Sequence, residues 1–154
     1  MRIREVIAEA RRRDDPNHLI DAVPYAGTLG LRGAATPEGL VTRLPFRQDL
    51  VGNPHLPALH GGVVAAFLEL TAAFSLLWRL DGDAIPRSVT LSVDYLRSAG
   101  PRESFGRGEI TRLGRRVANV RVLAWQDDPA RPFAQGNVHL LITPHLEAAG
   151  TSGR

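Results

Sequence analysis

The chain has 154 residues, enough for one domain with a substantial core, and its 44% hydrophobic and 23% charged residues are typical of a globular protein. It contains no cysteine, which excludes disulfides, thiolate metal ligands and cysteine nucleophiles. Its net charge is only +3, and its 19 basic residues, all arginine, are spread out with few aromatic residues, which argues against nucleic-acid binding. Residues 1–15 are too charged for a secretory signal, so we expect a cytoplasmic protein.

The first third of the chain predicts short helices, then a hairpin, then a loop. We expect the helices to form a cap over the edge of the domain, within residues 1–28. Turn-forming residues separate two short runs with strand character. In chain order, the expected elements are helices over 2–13 and 16–21, strands over 29–35 and 40–46 around the turn Thr36–Gly39, and a polar loop over 47–57.

The segment Gly61–Trp78 predicts one long buried helix. Glu69 is its only charged residue, and a helix that is apolar on nearly all sides must be covered on most of them. Its two glycines and central carboxylate fit poorly to a membrane span, which needs about 20 apolar residues. We therefore expect no membrane association. Arg79–Gly82 predicts the end of the helix.

The remaining chain predicts an antiparallel meander over 88–96, 105–112, 117–126 and 133–143, followed by a disordered tail over 144–154. Alternation in the first of these strands predicts Val89, Leu91, Val93 and Tyr95 on one face and Ser88, Thr90, Ser92 and Asp94 on the other. A strongly curved antiparallel sheet wrapped around the single helix would cover it most simply. We therefore expect one α+β domain over 29–143.

The segment Asn53–Glu69, NPHLPALHGGVVAAFLE, resembles the active-site signature of hotdog-fold acyl-CoA thioesterases of the phenylacetic-acid-degradation type. That family has an Asn in a loop, His-Gly-Gly at the start of the central helix, and an acidic residue eight positions after the first Gly. The matching residues here are Asn53, His60, Gly61, Gly62 and Glu69. The strand SVTLSVDYLRSA, beginning at Ser88, and the turn Leu113–Arg116 also resemble the family, and the likeness extends from about Leu29 to Ile142.

The resemblance implies a hotdog fold and hydrolysis of an acyl-CoA thioester to the free acid and coenzyme A, without a separate cofactor. It implies Glu69 as the catalytic carboxylate, acting as a nucleophile or as a general base. Asn53 and Ser88 would orient water or the thioester, and His60 would support the oxyanion loop. The histidines do not group with carboxylates at ligand spacing, so no metal is expected. Three arginines lie in or next to the turn: Arg112, Arg115 and Arg116. They either bind the phosphates of coenzyme A or are exposed to solvent without binding a ligand.

Physical reasoning about the helix start supports the same site. The backbone N–H groups of Gly61 and Gly62 have no intrahelical partner and lie at the positive end of the helix, where a developing oxyanion would be stabilised. Glu69 is about 12 Å further along the axis, at ~1.5 Å per residue, which is too far to serve the same thioester. A two-fold-related antiparallel helix would bring a second Glu69 to Gly61. We therefore expect a homodimer, alone or paired into a dimer of dimers.

Two departures from the family pattern keep other functions open. Asn53 precedes His60 by seven residues, where the family often has six, and Ala73 stands where some relatives carry a hydroxyl one turn after the acid. A non-catalytic acyl-thioester-binding protein is one alternative. A hotdog hydratase or dehydratase is a weaker alternative, because those enzymes pair a catalytic His with an acid in a different motif. The sequence does not identify the acyl group.

Overall fold

The computed structural model describes residues 2–82 and 84–143, in which a six-stranded antiparallel sheet packs against one long helix. The strands occur in the order β1-β2-β6-β7-β8-β5, and β3 and β4 form a separate hairpin. This arrangement confirms the predicted α+β hotdog architecture. The elements are α1 Ile3–Arg12, α2 Pro16–Ile20, α3 Pro24–Leu29, β1 Arg32–Thr36, β2 Gly39–Leu44, a 3-10 turn Gln48–Leu50, β3 Val51–Asn53, β4 Leu56–Leu59, α4 Gly61–Arg79, β5 Ile85–Tyr95, β6 Ser104–Leu113, β7 Val117–Trp125 and β8 Ala134–Thr143.

The central helix α4 packs closely on the sheet because glycines in the strands leave room for its side chains. A Cβ at Gly106 would lie 3.0 Å from Phe67 Cζ and from Thr71 Oγ1, so the helix could not approach as closely with any larger residue there. The buried hydroxyl of Thr71 is satisfied by Thr42 Oγ1 at 2.6 Å. By length and composition α4 could cross a membrane, but half of its apolar window is buried within the domain, as in a core helix.

The two edges of the sheet differ. At β1, the side chain of Asn17 in α2 bonds the backbone of Gly33 twice: Nδ2 donates to Gly33 O at 3.0 Å, and Oδ1 accepts from Gly33 N at 2.9 Å. Asn17 therefore blocks further pairing at that point of the edge. At the other edge, β5 pairs with β8, and no second strand pairs with it in the part of the chain that the structure describes.

The predicted alternation of β5 is wrong at its beginning because the strand contains a β-bulge. Ser88 lies opposite Leu140, but the next register partner is Thr90 opposite His139, so Val89 is the extra residue. Directly opposed residues point to the same side of a sheet, and Leu140 is buried against the core. Ser88 therefore lies on the helix side of the sheet, and Val89, with 64% of its surface exposed, does not.

The N-terminal helices were predicted, except for α3, which continues the helical region through Pro24–Leu29. They pack near the C-terminal end of α4, where Arg11 donates to Leu77 O at 2.7 Å and also to Leu80 O. These contacts satisfy carbonyls that lack an intrahelical partner. The polar loop predicted over 47–57 instead includes the 3-10 turn, β3 and the start of β4. The predicted disordered tail lies outside the described residues.

Candidate active site

A cleft of about 540 Å³ lies where the β3–β4 hairpin, the first turn of α4 and the end of β5 meet. The backbone holds these elements together: Leu59 N donates to Ala99 O at 3.0 Å, and His60 N donates to Leu50 O at 2.9 Å. The cleft thus combines the start of a helix with mostly apolar walls, which suits a ligand with one polar group to be oriented. Its lining includes Gly52, Asn53, Leu56, Ala58, Leu59, His60, Gly61, Val64, Tyr95, Arg97, Ser98, Ala99 and Phe133.

His60 is the N-cap of α4. Its Nδ1 accepts a hydrogen bond from the backbone N–H of Gly62 at 2.8 Å, so Nδ1 carries no proton in this arrangement. A Cβ at position 62 would lie 3.0 Å from His60 Nδ1, so the absence of a side chain lets the imidazole approach closely. The amide of Gly62 is therefore already used, and the imidazole supports the helix start from a position exposed to the cleft.

Gly61 also lines the cleft at this helix start. Within residues 2–82 and 84–143, no acceptor is found for its N–H. The carbonyl of the same residue accepts a hydrogen bond from the Tyr95 hydroxyl at 2.8 Å, which ties the end of β5 to the helix. An amide held at the positive end of a 19-residue helix can stabilise negative charge on a ligand oxygen.

Asn53 lines the cleft beside the helix start and also shapes its own turn. Its Oδ1 accepts from His55 N at 3.0 Å, an Asx turn that fixes the hairpin despite the extra residue before His60. No described residue bonds the side-chain NH₂ group of Asn53. That group remains able to donate to a ligand.

Glu69 and Ser88 do not line this cleft. Glu69 is half-buried in the middle of α4, on the same side as the half-buried Ala65 and Ala73, which are one turn away in each direction. The bulge in β5 turns Ser88 toward the helix side of the sheet. One chain alone therefore brings together Asn53, His60 and Gly61 but leaves the carboxylate elsewhere.

The three arginines predicted to bind substrate lie apart from the cleft. Arg112, Arg115 and Arg116 line a separate cavity of about 920 Å³ that shares no residue with it. Arg116 O accepts from Ile142 N, and Ile142 lies opposite Pro86 on β5. Pro86 is nine positions from Tyr95, or roughly 30 Å at ~3.3 Å per strand residue. Arg115 and Arg116 therefore lie far from Gly61 of their own chain.

The sequence did not single out Tyr95 or Gly52 as parts of the site. Tyr95 occupies an apolar position of an alternating strand, and only its position beside the helix start gives its hydroxyl a role. A Cβ at Gly52 would lie 3.0 Å from His60 Cα, so this glycine lets β3 pass close to the capping residue. A glycine within a short strand is the kind of signal that indicates such a close approach.

Comparison with known proteins identifies the family. The family model described as the thioesterase superfamily matches residues 56–133, about half of the chain. A solved structure from Chromobacterium violaceum is 39% identical, with a TM-score of 0.73, and covers 92% of this chain and 98% of its own. One from Pseudomonas aeruginosa is 31% identical, with a TM-score of 0.71, and covers 88% and 98% respectively.

A third solved structure, a phenylacetic acid degradation-related protein from Ralstonia eutropha, is 25% identical, with a TM-score of 0.70, and covers 82% of this chain and 98% of its own. No curated protein matches the chain significantly. The family match and the 39% identity over nearly the whole length agree with the hotdog architecture. The chain belongs to the thioesterase superfamily.

Proposed function

We propose that this protein hydrolyses an acyl-CoA thioester to the free acid and coenzyme A. Membership of the thioesterase superfamily supports thioester hydrolysis in general. The observation that carries the finer proposal is the unpaired Gly61 amide, held at the start of α4 in a largely apolar cleft. Its N–H can donate a hydrogen bond to a thioester oxygen as that oxygen becomes an oxyanion.

We further propose that the catalytic carboxylate reaches this amide from a partner subunit. In one chain, Glu69 is about 12 Å from Gly61 along α4, at ~1.5 Å per residue. The open edge of β5 and the exposed Val89 and Ile85 on that strand favour pairing with a second copy there. An antiparallel pairing about a two-fold axis would also run the two α4 helices in opposite directions, bringing Glu69 of one toward Gly61 of the other.

In this composite site, Glu69 of the partner subunit acts as a general base or as a nucleophile. As a base, its carboxylate removes a proton from water while the water oxygen bonds to the thioester carbon. The Gly61 N–H stabilises the resulting oxyanion, the C–S bond breaks, and the departing sulfur takes up a proton. As a nucleophile, the carboxylate attacks the thioester carbon, the C–S bond breaks and coenzyme A leaves as a thiolate that takes up a proton; water then hydrolyses the resulting anhydride to the free acid and the original carboxylate. The Asn53 NH₂ group and the partner's Ser88 orient the water or the thioester.

The same dimer would give the remote arginines a role. Arg112, Arg115 and Arg116 lie at the end of the sheet opposite Gly61 in their own chain. An antiparallel partner brings that end of its sheet toward the cleft, so we propose that the partner's arginines bind the phosphates of coenzyme A. The protein would need no metal and no cofactor other than its substrate.

The test is release of free thiol from a panel of short, branched and aryl acyl-CoA thioesters. We expect the wild type to turn over at least one of them and Glu69→Gln to reduce kcat by about 10²–10⁴-fold, a typical effect of losing a general base. Glu109→Gln, the same change at an exposed position on β6, is the control and should retain full activity.

Three outcomes would overturn all or part of the proposal. Equal turnover by wild type and Glu69→Gln would remove Glu69 from the chemistry. Binding of acyl-CoA without thiol release would instead assign the protein to the non-catalytic binding class, and hydration of an enoyl thioester would assign it to the hydratases.

A further inference from the structure

A second cavity, of about 370 Å³, adjoins the cleft at the Gly61 site. Arg97, Ser98 and Phe133 line both, so the two spaces share a wall at the end of β5 and the beginning of β8. The backbone of this wall is fixed, because Arg97 N donates to Phe133 O at 3.1 Å. The two cavities are therefore direct neighbours.

The rim of the second cavity is a framework built around Gln126. Its Oε1 accepts from Gly100 N at 3.0 Å, and its Nε2 donates to Gly100 O at 3.0 Å and to Arg102 O at 3.2 Å. These bonds fix the segment after β5 against the end of β7. The cavity is therefore a shaped feature of the fold and needs little ordering of backbone when a ligand binds.

The charges around the cavity are not balanced. Arg102 forms a two-point ion pair with Asp127, with Nη2 at 2.7 Å from Oδ2 and Nε at 3.2 Å from Oδ1. The carboxylate of Asp128 accepts from Ala130 N at 2.9 Å within the loop. The other two arginines that line the cavity are Arg97 and Arg131. No acceptor is found for their guanidinium groups within residues 2–82 and 84–143.

We propose that Arg97 and Arg131 form an anion subsite that binds a negatively charged group of the thioester substrate. The inference rests on the proposed function, because it concerns a ligand that also occupies the Gly61 cleft. Two exposed guanidiniums offer planar donor pairs that match a carboxylate or a phosphate in two-point contacts. Arg102 and Asp127 balance each other, and the two remaining arginines outnumber the one remaining carboxylate, Asp128, so the lining keeps one net positive charge.

The anionic group can come from either end of the substrate. It is either the carboxylate at the far end of a dicarboxylic acyl group or a phosphate of coenzyme A. In both cases the arginines that bind it belong to the same chain as Gly61. The two sources are distinguished by four substrates: a monocarboxylic acyl group and a dicarboxylic one, each attached either to coenzyme A or to N-acetylcysteamine, which has no phosphate.

The variants are Arg97→Gln and Arg131→Gln, with Arg121→Gln as a control that removes one exposed charge from the middle of β7. Loss of a charged contact should raise KM about tenfold and leave kcat within about twofold. A KM increase for both CoA thioesters but neither N-acetylcysteamine thioester identifies the phosphates. An increase for the dicarboxylic group on both carriers identifies the acyl carboxylate. If both variants behave like Arg121→Gln with all four substrates, the subsite does not exist.

Calorimetric binding of free coenzyme A and of succinyl-N-acetylcysteamine separates this inference from the proposed function. Binding by the wild type that weakens in the two variants, without any turnover, would support the subsite and overturn the hydrolase. Turnover that neither variant alters would support the hydrolase and overturn the subsite. Absence of both binding and turnover in the wild type would overturn both.

Discussion

A mixed dimer provides the sharpest test of the composite site. One protomer carries Glu69→Gln and the other carries Gly61→Val, and the heterodimer is purified with two different affinity tags. An ideal Cβ at Gly61 lies 3.5 Å from Tyr95 Oη, an ordinary contact, so the first carbon of the valine side chain fits at this position. The two methyl groups of valine are introduced to block access of a ligand to the Gly61 amide.

The expected magnitude follows from counting sites. If Gly61 of one chain works with Glu69 of the other, each mutant homodimer has two damaged sites and is inactive. The heterodimer has one site that carries both changes and one site that carries neither. It should therefore show about half of the wild-type activity per dimer, because a two-fold dimer has two equivalent sites.

Thiol release by the purified heterodimer is compared with both homodimers and with a control heterodimer in which one protomer carries both changes and the other is wild type. That control has one damaged residue in each site and should be inactive. An inactive test heterodimer together with a half-active control would refute the reasoning, because it would mean that Gly61 and Glu69 act within one chain. Thermal unfolding of each species checks that all are folded.

Two further predictions concern the helix start and the core. Because the His60 imidazole caps α4 through Gly62 N, His60→Ala should lower the free energy of unfolding by about 1 kcal/mol, and His60→Asn should restore most of it. If His60→Asn is stable but inactive, the imidazole has a chemical role beyond capping. Gly108→Ala should destabilise the protein by about 1–3 kcal/mol, because the new Cβ would lie 2.7 Å from Ser75 Oγ. Gly27→Ala, whose Cβ would meet nothing within 4 Å, is the matched control, and chemical denaturation of both variants gives the comparison.

The sequence by itself determined the elements whose pattern is local. The apolar run from Gly61 onward predicted α4, and alternation predicted most of β5 to β8, because burial imposes a helical or two-residue period on the chain itself. The His-Gly-Gly motif with its spaced acid located the helix start of the candidate site. In β8, predicted over 133–143, every second residue from Ala134 to Leu140 is buried, as expected of a strand with one face on the core.

Only the tertiary structure decided features that depend on partners distant in sequence. The bulge at Val89, which turns Ser88 toward the helix, is set by pairing with β8, and no local pattern marks it. The hydrogen bond from the Tyr95 hydroxyl to Gly61 O, which ties the end of β5 to the helix start, joins residues 34 positions apart. The separation of Arg115 and Arg116 from Gly61 follows from strand register across three strands. Register and cavities arise from contacts between segments, so a pattern within one segment cannot specify them.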